Sequence, residues 1–217
     1  MKKILVSDFD GTMTKYDFYD LVCKAFPDIL KSGYWQQYEA GSITHFEALR
    51  NIFAEIRADE SRMIEIITGM EIDPDIYSAS SRLRADGWEI VVASAGCAWY
   101  IEKLFESRGV RFELHANLGL FTPKTGLIMR MPEDPLYVSH ELGVNKVAVV
   151  REALKQTDHV AFAGDGRPDL VPALMVHPKR RFAKSWLAKR LHEIGEQYVP
   201  FDCWSQLPEL LSKADVQ

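Results

Sequence analysis

The chain is poor in the features that would mark it as secreted, membrane-spanning or nucleic-acid-binding. It has three cysteines in 217 residues, Cys23, Cys97 and Cys203. The number is odd and no CxxC pair occurs, which excludes a disulfide framework and fits free thiols in a reducing compartment, here taken as the cytoplasm. No apolar run approaches the ~20 residues that span a bilayer, and Met1-Lys2-Lys3 leads straight into a short strand-like run that soon turns acidic, so neither a membrane partner nor a signal peptide is expected. The formal net charge is −5, so no basic field draws in nucleic acid, and any phosphate-bearing ligand needs a metal or a few placed cations. Internal repeats and low-complexity segments are missing too. What is there, 47% hydrophobic and 26% charged residues, is ordinary for a globular chain with room for one domain and an inserted subdomain.

Three short apolar runs have strand character: Ile4-Leu5-Val6, Glu89-Ile90-Val91-Val92-Ala93 and His159-Val160-Ala161-Phe162-Ala163. Helical stretches at 99–108 and 147–156 alternate with them, and a helix is expected over 182–194 with a short one after Pro208. Continuous apolar strands alternating with helices predict an α/β fold, a doubly wound parallel sheet of Rossmann-like form. The catalytic core is expected over 1–15 and 81–217, with a helical, aromatic-rich cap inserted at 16–80. Thr122-Pro123-Lys124-Thr125-Gly126 is turn-like and predicts a β-hairpin flap within 113–145. The C-terminal cations Lys179, Arg180, Arg181, Lys184, Lys189 and Arg190 are expected to be a solvated face.

Each strand stops in polar sequence: Ser7-Asp8-Phe9-Asp10-Gly11-Thr12, then Ser94-Ala95-Gly96, then Gly164-Asp165-Gly166-Arg167-Pro168-Asp169. Ligands of parallel sheets bind beyond the strands' carboxyl ends, so these distant segments are expected to share one crevice. Asp8 and Asp10, two apart, stay ionised together only beside a cation or with one of them protonated, which argues for a metal, an acid/base group or both. A calcium loop fails, because its sixth and twelfth positions counted from Asp8 are Met13 and Tyr19. Magnesium, with octahedral oxygen ligation, suits Asp8, Asp165 and the carbonyl of Asp10. The Ser94 hydroxyl and the amides of Ala95 and Gly96 can hold phosphate oxygens. Phosphoryl transfer also needs a fixed cation. Lys146, at a helix start, is preferred over Lys103, Lys124 and Lys155.

Taken together, the segment from Asp8 to Thr14, then Ser94, Lys146 and the segment from Gly164 to Asp169 resemble the four ordered motifs of the haloacid dehalogenase superfamily of phosphatases, over nearly the whole chain. The resemblance implies an Mg²⁺-dependent phosphomonoesterase acting on a small phosphorylated metabolite. Asp8 would be the nucleophile that forms an aspartyl-phosphate, and Asp10 would act as acid and then base. Thr12 and Ser94 would hold phosphate oxygens, and Lys146 would tie the nucleophile to phosphate. The metal ligands would be Asp8, Asp10 and Asp165, with Asp169 supporting the shell. The insertion is similar to the cap of the phosphoserine phosphatase-like branch, where Arg50 would bind a substrate carboxylate. Asp8 to Asp17 and Tyr198-Val199-Pro200-Phe201 look closer to the methionine-salvage branch, which acts on hydroxy-keto-methylthiopentenyl phosphate. Arg167 and Pro168 match neither branch. The six histidines show no metal spacing and are expected to serve packing or the surface. Oligomeric state stays open, as do two alternatives: phosphoserine phosphatase proper, and a phosphoacceptor signalling domain without turnover.

Overall fold

The structure, a computed structural model, describes residues 2–216, without the side chains of 215 and 216. Among the described residues nine strands are formed: β1 (Lys3–Ser7), β2 (Trp88–Cys97), β3 (Glu113–Thr122), β4 (Gly126–Arg130), β5 (Val138–Ser139), β6 (Gly143–Val144), β7 (Val160–Gly164), β8 (Arg181–Ala183) and β9 (Val199–Pro200). Seven make one sheet in the order β4-β3-β2-β1-β7-β8-β9, all neighbours parallel except the β3–β4 hairpin. β5 and β6 form a separate antiparallel pair.

The α/β doubly wound sheet follows from strands apolar on both sides. Leu5 and Ala161 face one hydrophobic core while Ile4, Val6 and Phe162 face the other, all at most 2% exposed. Covering helices are α5 (Ile76–Ala85), α6 (Ala98–Ser107) and α10 (Leu207–Val216) on the first side, with α7 (Lys146–Gln156), α8 (Leu170–Leu174) and α9 (Ser185–Glu193) on the second. Among the described residues no helix is long and apolar enough to cross a membrane.

Between β1 and β2 lies the helical insertion: α1 (Phe18–Ala25), α2 (Tyr34–Glu39), α3 (His45–Ala54) and α4 (Glu60–Thr68). Thr44 starts α3 with a capping box to Glu47, a device that contributes about 1 kcal/mol. The insertion closes on itself where Thr14 pairs with Ile72. The helix that follows, α5, packs against β2 in the sheet's own core.

The turn at 122–126 forms, but the hairpin extends the main sheet: β3 begins as a parallel partner of β2 and continues as the antiparallel partner of β4. Two further expectations needed correction. Phe182 belongs to a three-residue strand, and the helix begins at Ser185. The basic cluster is not wholly solvated either. Arg181 is 3% exposed, donating to the carbonyls of Ala173 and Gln197 and pairing with Glu196.

Candidate active site

β1 is the central strand, flanked by β2 and β7, which the chain reaches in opposite directions. The crevice opens beyond its carboxyl end, where the strand order reverses. Asp8 follows β1 immediately and is 6% exposed. Its amide donates to the carbonyl of Ala163 at 2.9 Å, continuing the β1–β7 ladder to the reacting position. Behind it, Trp204 Nε1 donates to Ser7 Oγ at 3.0 Å and Ser7 Oγ donates to the Asp8 carbonyl at 2.7 Å.

The next turn needs glycine. Gly11 has φ +69°, and a Cβ there would meet the Asp165 carboxylate at 2.5 Å. Thr12 thereby reaches across the crevice and donates from Oγ1 to Asp165 Oδ1 at 2.8 Å. Lys184 Nζ supports the turn from behind, donating to the Thr12 carbonyl at 3.3 Å.

Lys146, the first residue of α7, is 2% exposed and bridges Asp8 Oδ1 and Asp169 Oδ1, each at 2.7 Å. Burial alone would lower its pKa, but Asp169 and Asp8 outweigh burial and hold it above the usual lysine value. Asp169 spends its other oxygen on the amides of Asp165 and Gly166, at 3.1 and 2.9 Å, so it orients its neighbours. Carboxylate oxygens of Asp8, Asp165 and Asp169 lie within 4.8 Å of one another. Three carboxylates face one ammonium, and the excess negative charge is what a divalent cation would offset. Burial and then Asp169 push Asp8 well up and Asp165 to about 6, the signature of anionic groups short of positive charge. The donor set therefore fits a hard oxygen-ligated cation, with Asp8 and Asp165 as its carboxylates and Asp169 behind them.

Asp10 is placed differently. Its carboxylate accepts from Tyr100 OH at 2.8 and 3.0 Å, from Ser94 Oγ at 3.2 Å and from the Phe18 amide at 3.3 Å. These bonds turn it away from the three-carboxylate cluster, so only its carbonyl is left to serve a metal. Burial raises its pKa, and the Tyr100, Phe18 and Ser94 bonds restrain the rise. Asp10 thus stands beside the cluster with its proton affinity raised by burial.

β2 is irregular at Ser94, Ala95 and Gly96, where its register with β3 shifts between Ala93 and Cys97. The bulge turns these residues into the cavity, and Gly96 N donates to Ser94 Oγ at 2.9 Å. A Cβ at Gly96 would overlap the Tyr100 hydroxyl. Asn117, fully buried, holds the bulge by donating to the Ala95 carbonyl at 2.8 Å and the Leu142 carbonyl at 3.0 Å.

The resulting cavity, about 140 Å³, is roofed by the insertion through Tyr19, Trp35, His45, Leu49 and Phe53. The structure thus brings Asp8, Asp10, Ser94, Ala95, Gly96, Lys146 and Asp165 to one cavity, with Thr12 and Asp169 behind its lining, bonded to Asp165 and Lys146. Arg50 is not brought there: it is exposed, over the Phe46 ring at 5.8 Å. On α3 the residues four apart, His45, Leu49 and Phe53, face the cavity, and Arg50 is one position off that stripe. Sequence reasoning missed Asp17, Tyr100, Asn117 and the cavity-facing His45. Asp17 alone carried a local signal, as an Asp one residue before a helix, where it accepts from the Tyr19 amide at 2.7 Å.

Comparison with known proteins agrees with this geometry. Residues 5–175 match the model of the haloacid dehalogenase-like hydrolase family. A 2-hydroxy-3-keto-5-methylthiopentenyl-1-phosphate phosphatase of Bacillus pumilus is 22% identical over 95% of this chain and 89% of its own length. Among solved structures, a probable phosphoserine phosphatase from Vibrio cholerae superposes with TM-score 0.71 at 18% identity; it covers all of this chain, which spans 66% of that structure's length. A phospho-aspartyl intermediate analogue of phosphoserine phosphatase matches with TM-score 0.63 at 16% identity and 98% coverage of both chains. With the motif residues gathered at the carboxyl end of the central strand and the family model matching most of its length, the chain belongs to the haloacid dehalogenase-like hydrolases.

Proposed function

We propose that this phosphatase hydrolyses a small phosphorylated metabolite in the cytoplasm through an aspartyl-phosphate on Asp8, with Mg²⁺ as cofactor and the 16–80 insertion as a cap over the site. The observation that carries the reading is the contact of Lys146 with both Asp8 and Asp169 beside Asp165, a buried anionic centre lacking positive charge. The resemblance of fold to a phospho-aspartyl phosphatase analogue supports the same chemistry.

Asp8 Oδ attacks phosphorus while the bond from phosphorus to the ester oxygen breaks, and Asp10, in its protonated form, gives its proton to the departing alkoxide. Asp10, now a carboxylate, takes a proton from water as the water oxygen attacks phosphorus. Inorganic phosphate leaves and the Asp8 carboxylate is restored. Lys146 holds Asp8 in position and offsets charge on the phosphoryl oxygens, which the amides of Ala95 and Gly96 and the hydroxyls of Ser94 and Thr12 would also bind. Mg²⁺, held by Asp8, Asp165 and the Asp10 carbonyl with Asp169 in support, would supply electrostatic stabilisation of that same charge. The insertion's apolar roof keeps bulk water from the reacting centre.

The methionine-salvage relative directs the choice of substrate toward an uncharged, oxygen-bearing leaving group, and the lack of a lysine or arginine among the described residues of the roof agrees. The test is steady release of phosphate from a generic aryl phosphate with Mg²⁺, abolished by chelator and by Asp8→Asn. One stoichiometric phosphorylation without release would instead make this a phosphoacceptor domain.

A further inference from the structure

The roof over the cavity carries a buried polar atom that nothing in the protein satisfies. His45 Nδ1 is sealed from solvent and has no hydrogen-bond partner. The ring packs edge-on against Trp35 and Tyr38, with ring centroids 6.0 and 5.3 Å apart. Its backbone is pinned as well, because the His45 amide donates to Glu141 Oε1 at 3.3 Å and the Phe46 amide to the Glu141 carbonyl at 2.9 Å. A buried ring nitrogen without a partner is costly, and such a group is kept where something else completes its bond.

The charges around the cavity define what that partner is. Lys146 is the one cation among the described residues that line it, and Asp8 and Asp169 already occupy it. Asp17 also lines the cavity, and no hydrogen bond or ion pair to a cationic side chain engages its carboxylate. A carboxylate on the leaving group would therefore face Asp10 and Asp17 with no counter-charge. Burial, reinforced by the charge of Lys146, lowers His45 to about 4 and keeps the ring neutral near neutral pH. A neutral imidazole offers one donor and one acceptor, which suits a hydroxyl or a carbonyl oxygen.

Resting on the phosphatase reading above, we propose that His45 is a specificity-determining residue: its imidazole hydrogen-bonds a hydroxyl or carbonyl oxygen of the leaving group, and the cation-free roof turns away carboxylate-bearing esters. α3 thus reads the substrate through the position where the chain carries His45, while Arg50 on the same helix stays outside.

The test measures kcat and KM of the Mg²⁺-loaded protein on three probes. Phenyl phosphate has no oxygen on its leaving group beyond the ester oxygen, dihydroxyacetone phosphate adds a carbonyl and a hydroxyl, and 3-phosphoglycerate adds a hydroxyl and a carboxylate. Wild type is expected to favour dihydroxyacetone phosphate over phosphoglycerate. His45→Phe, which keeps the aromatic packing, should lower the ratio of kcat/KM for dihydroxyacetone phosphate to that for phenyl phosphate by about tenfold, the worth of one good hydrogen bond. The loss should fall mainly on KM, and His45→Asn should restore part of it. An unchanged ratio, equal losses on all probes, or a preference for phosphoglycerate overturns the assignment of His45 while leaving the phosphatase reading intact. No turnover of any probe by wild type, phenyl phosphate included, removes the phosphatase reading and this inference with it.

Discussion

Replacing Lys146 with methionine tests the electrostatic design of the site. The ammonium is 2% exposed and sits 2.7 Å from a carboxylate on either side. Methionine keeps most of the volume and removes the charge, leaving Asp8 and Asp169 buried together without a counter-ion. Breaking a buried ion pair in this way costs about 3–5 kcal/mol, because the abandoned charge keeps its desolvation penalty. For a chain of this size each kcal/mol moves the melting temperature by about 2–4 °C, so a drop on the order of 10 °C is expected in metal-free protein. Urea unfolding followed by tryptophan fluorescence would give the same loss as a lower midpoint with an unchanged slope. Adding Asp169→Asn to Lys146→Met removes one of the stranded charges and should recover part of the stability, a coupling that a double-mutant cycle reads directly. A loss below about 1 kcal/mol, as for exposed ion pairs, would refute the reasoning, since it would mean that these carboxylates do not depend on the lysine.

Tyr100→Phe removes the hydroxyl that donates to both oxygens of Asp10 and restrains its pKa. The Asp10 pKa should rise, and the alkaline limb of the kcat/KM profile should move to higher pH; a limb that stays in place would argue against Asp10 as the acid. Asp165, raised from 3.8 to about 6 by burial first and Asp169 second, should make metal-free stability pH-dependent. A raised folded-state pKa binds protons more tightly than the unfolded chain does, so this contribution, about 3 kcal/mol, is complete below the unfolded value and lost as pH rises through about 6. Mg²⁺ needs the ionised carboxylates, so its stabilisation, read as a shift in melting temperature, should be large near pH 7.5 and small near pH 5. An equal shift at both pH values would separate the metal from these groups.

Much of this was legible in the sequence because the chemistry is compressed into short segments. Asp8, Asp10 and Thr12 are close in the chain, and the continuous apolar run Ile4-Leu5-Val6 puts them at the end of β1. Ser94 and Asp165 follow from the same rule, since all parallel strands of one sheet point their carboxyl ends the same way. Tyr100 was not legible: its contact with Asp10 spans 90 residues, and nothing local separates it from the neighbouring Trp99. Asn117 acts on a carbonyl 22 residues away, through a bulge that strand patterns do not announce. That His45 and not Arg50 lines the cavity was not legible, because the rotation of α3 about its axis is set by packing against the rest of the molecule and not by its own pattern. Strands of two and three residues, β8 and β9, are too short to carry a period, so Phe182 was taken into the helix that follows.

The central claim is covalent chemistry at Asp8, and the most direct measurement is to trap the intermediate. The Mg²⁺-loaded enzyme would be acid-quenched during turnover and treated with borohydride, which reduces an acyl phosphate on aspartate to homoserine, and the peptides read by mass spectrometry. Homoserine at position 8, increased by Asp10→Asn because that variant slows breakdown of the intermediate, is the predicted result. Continued release of phosphate with an unmodified Asp8 in every quench, or reduction at a different carboxylate, would contradict it.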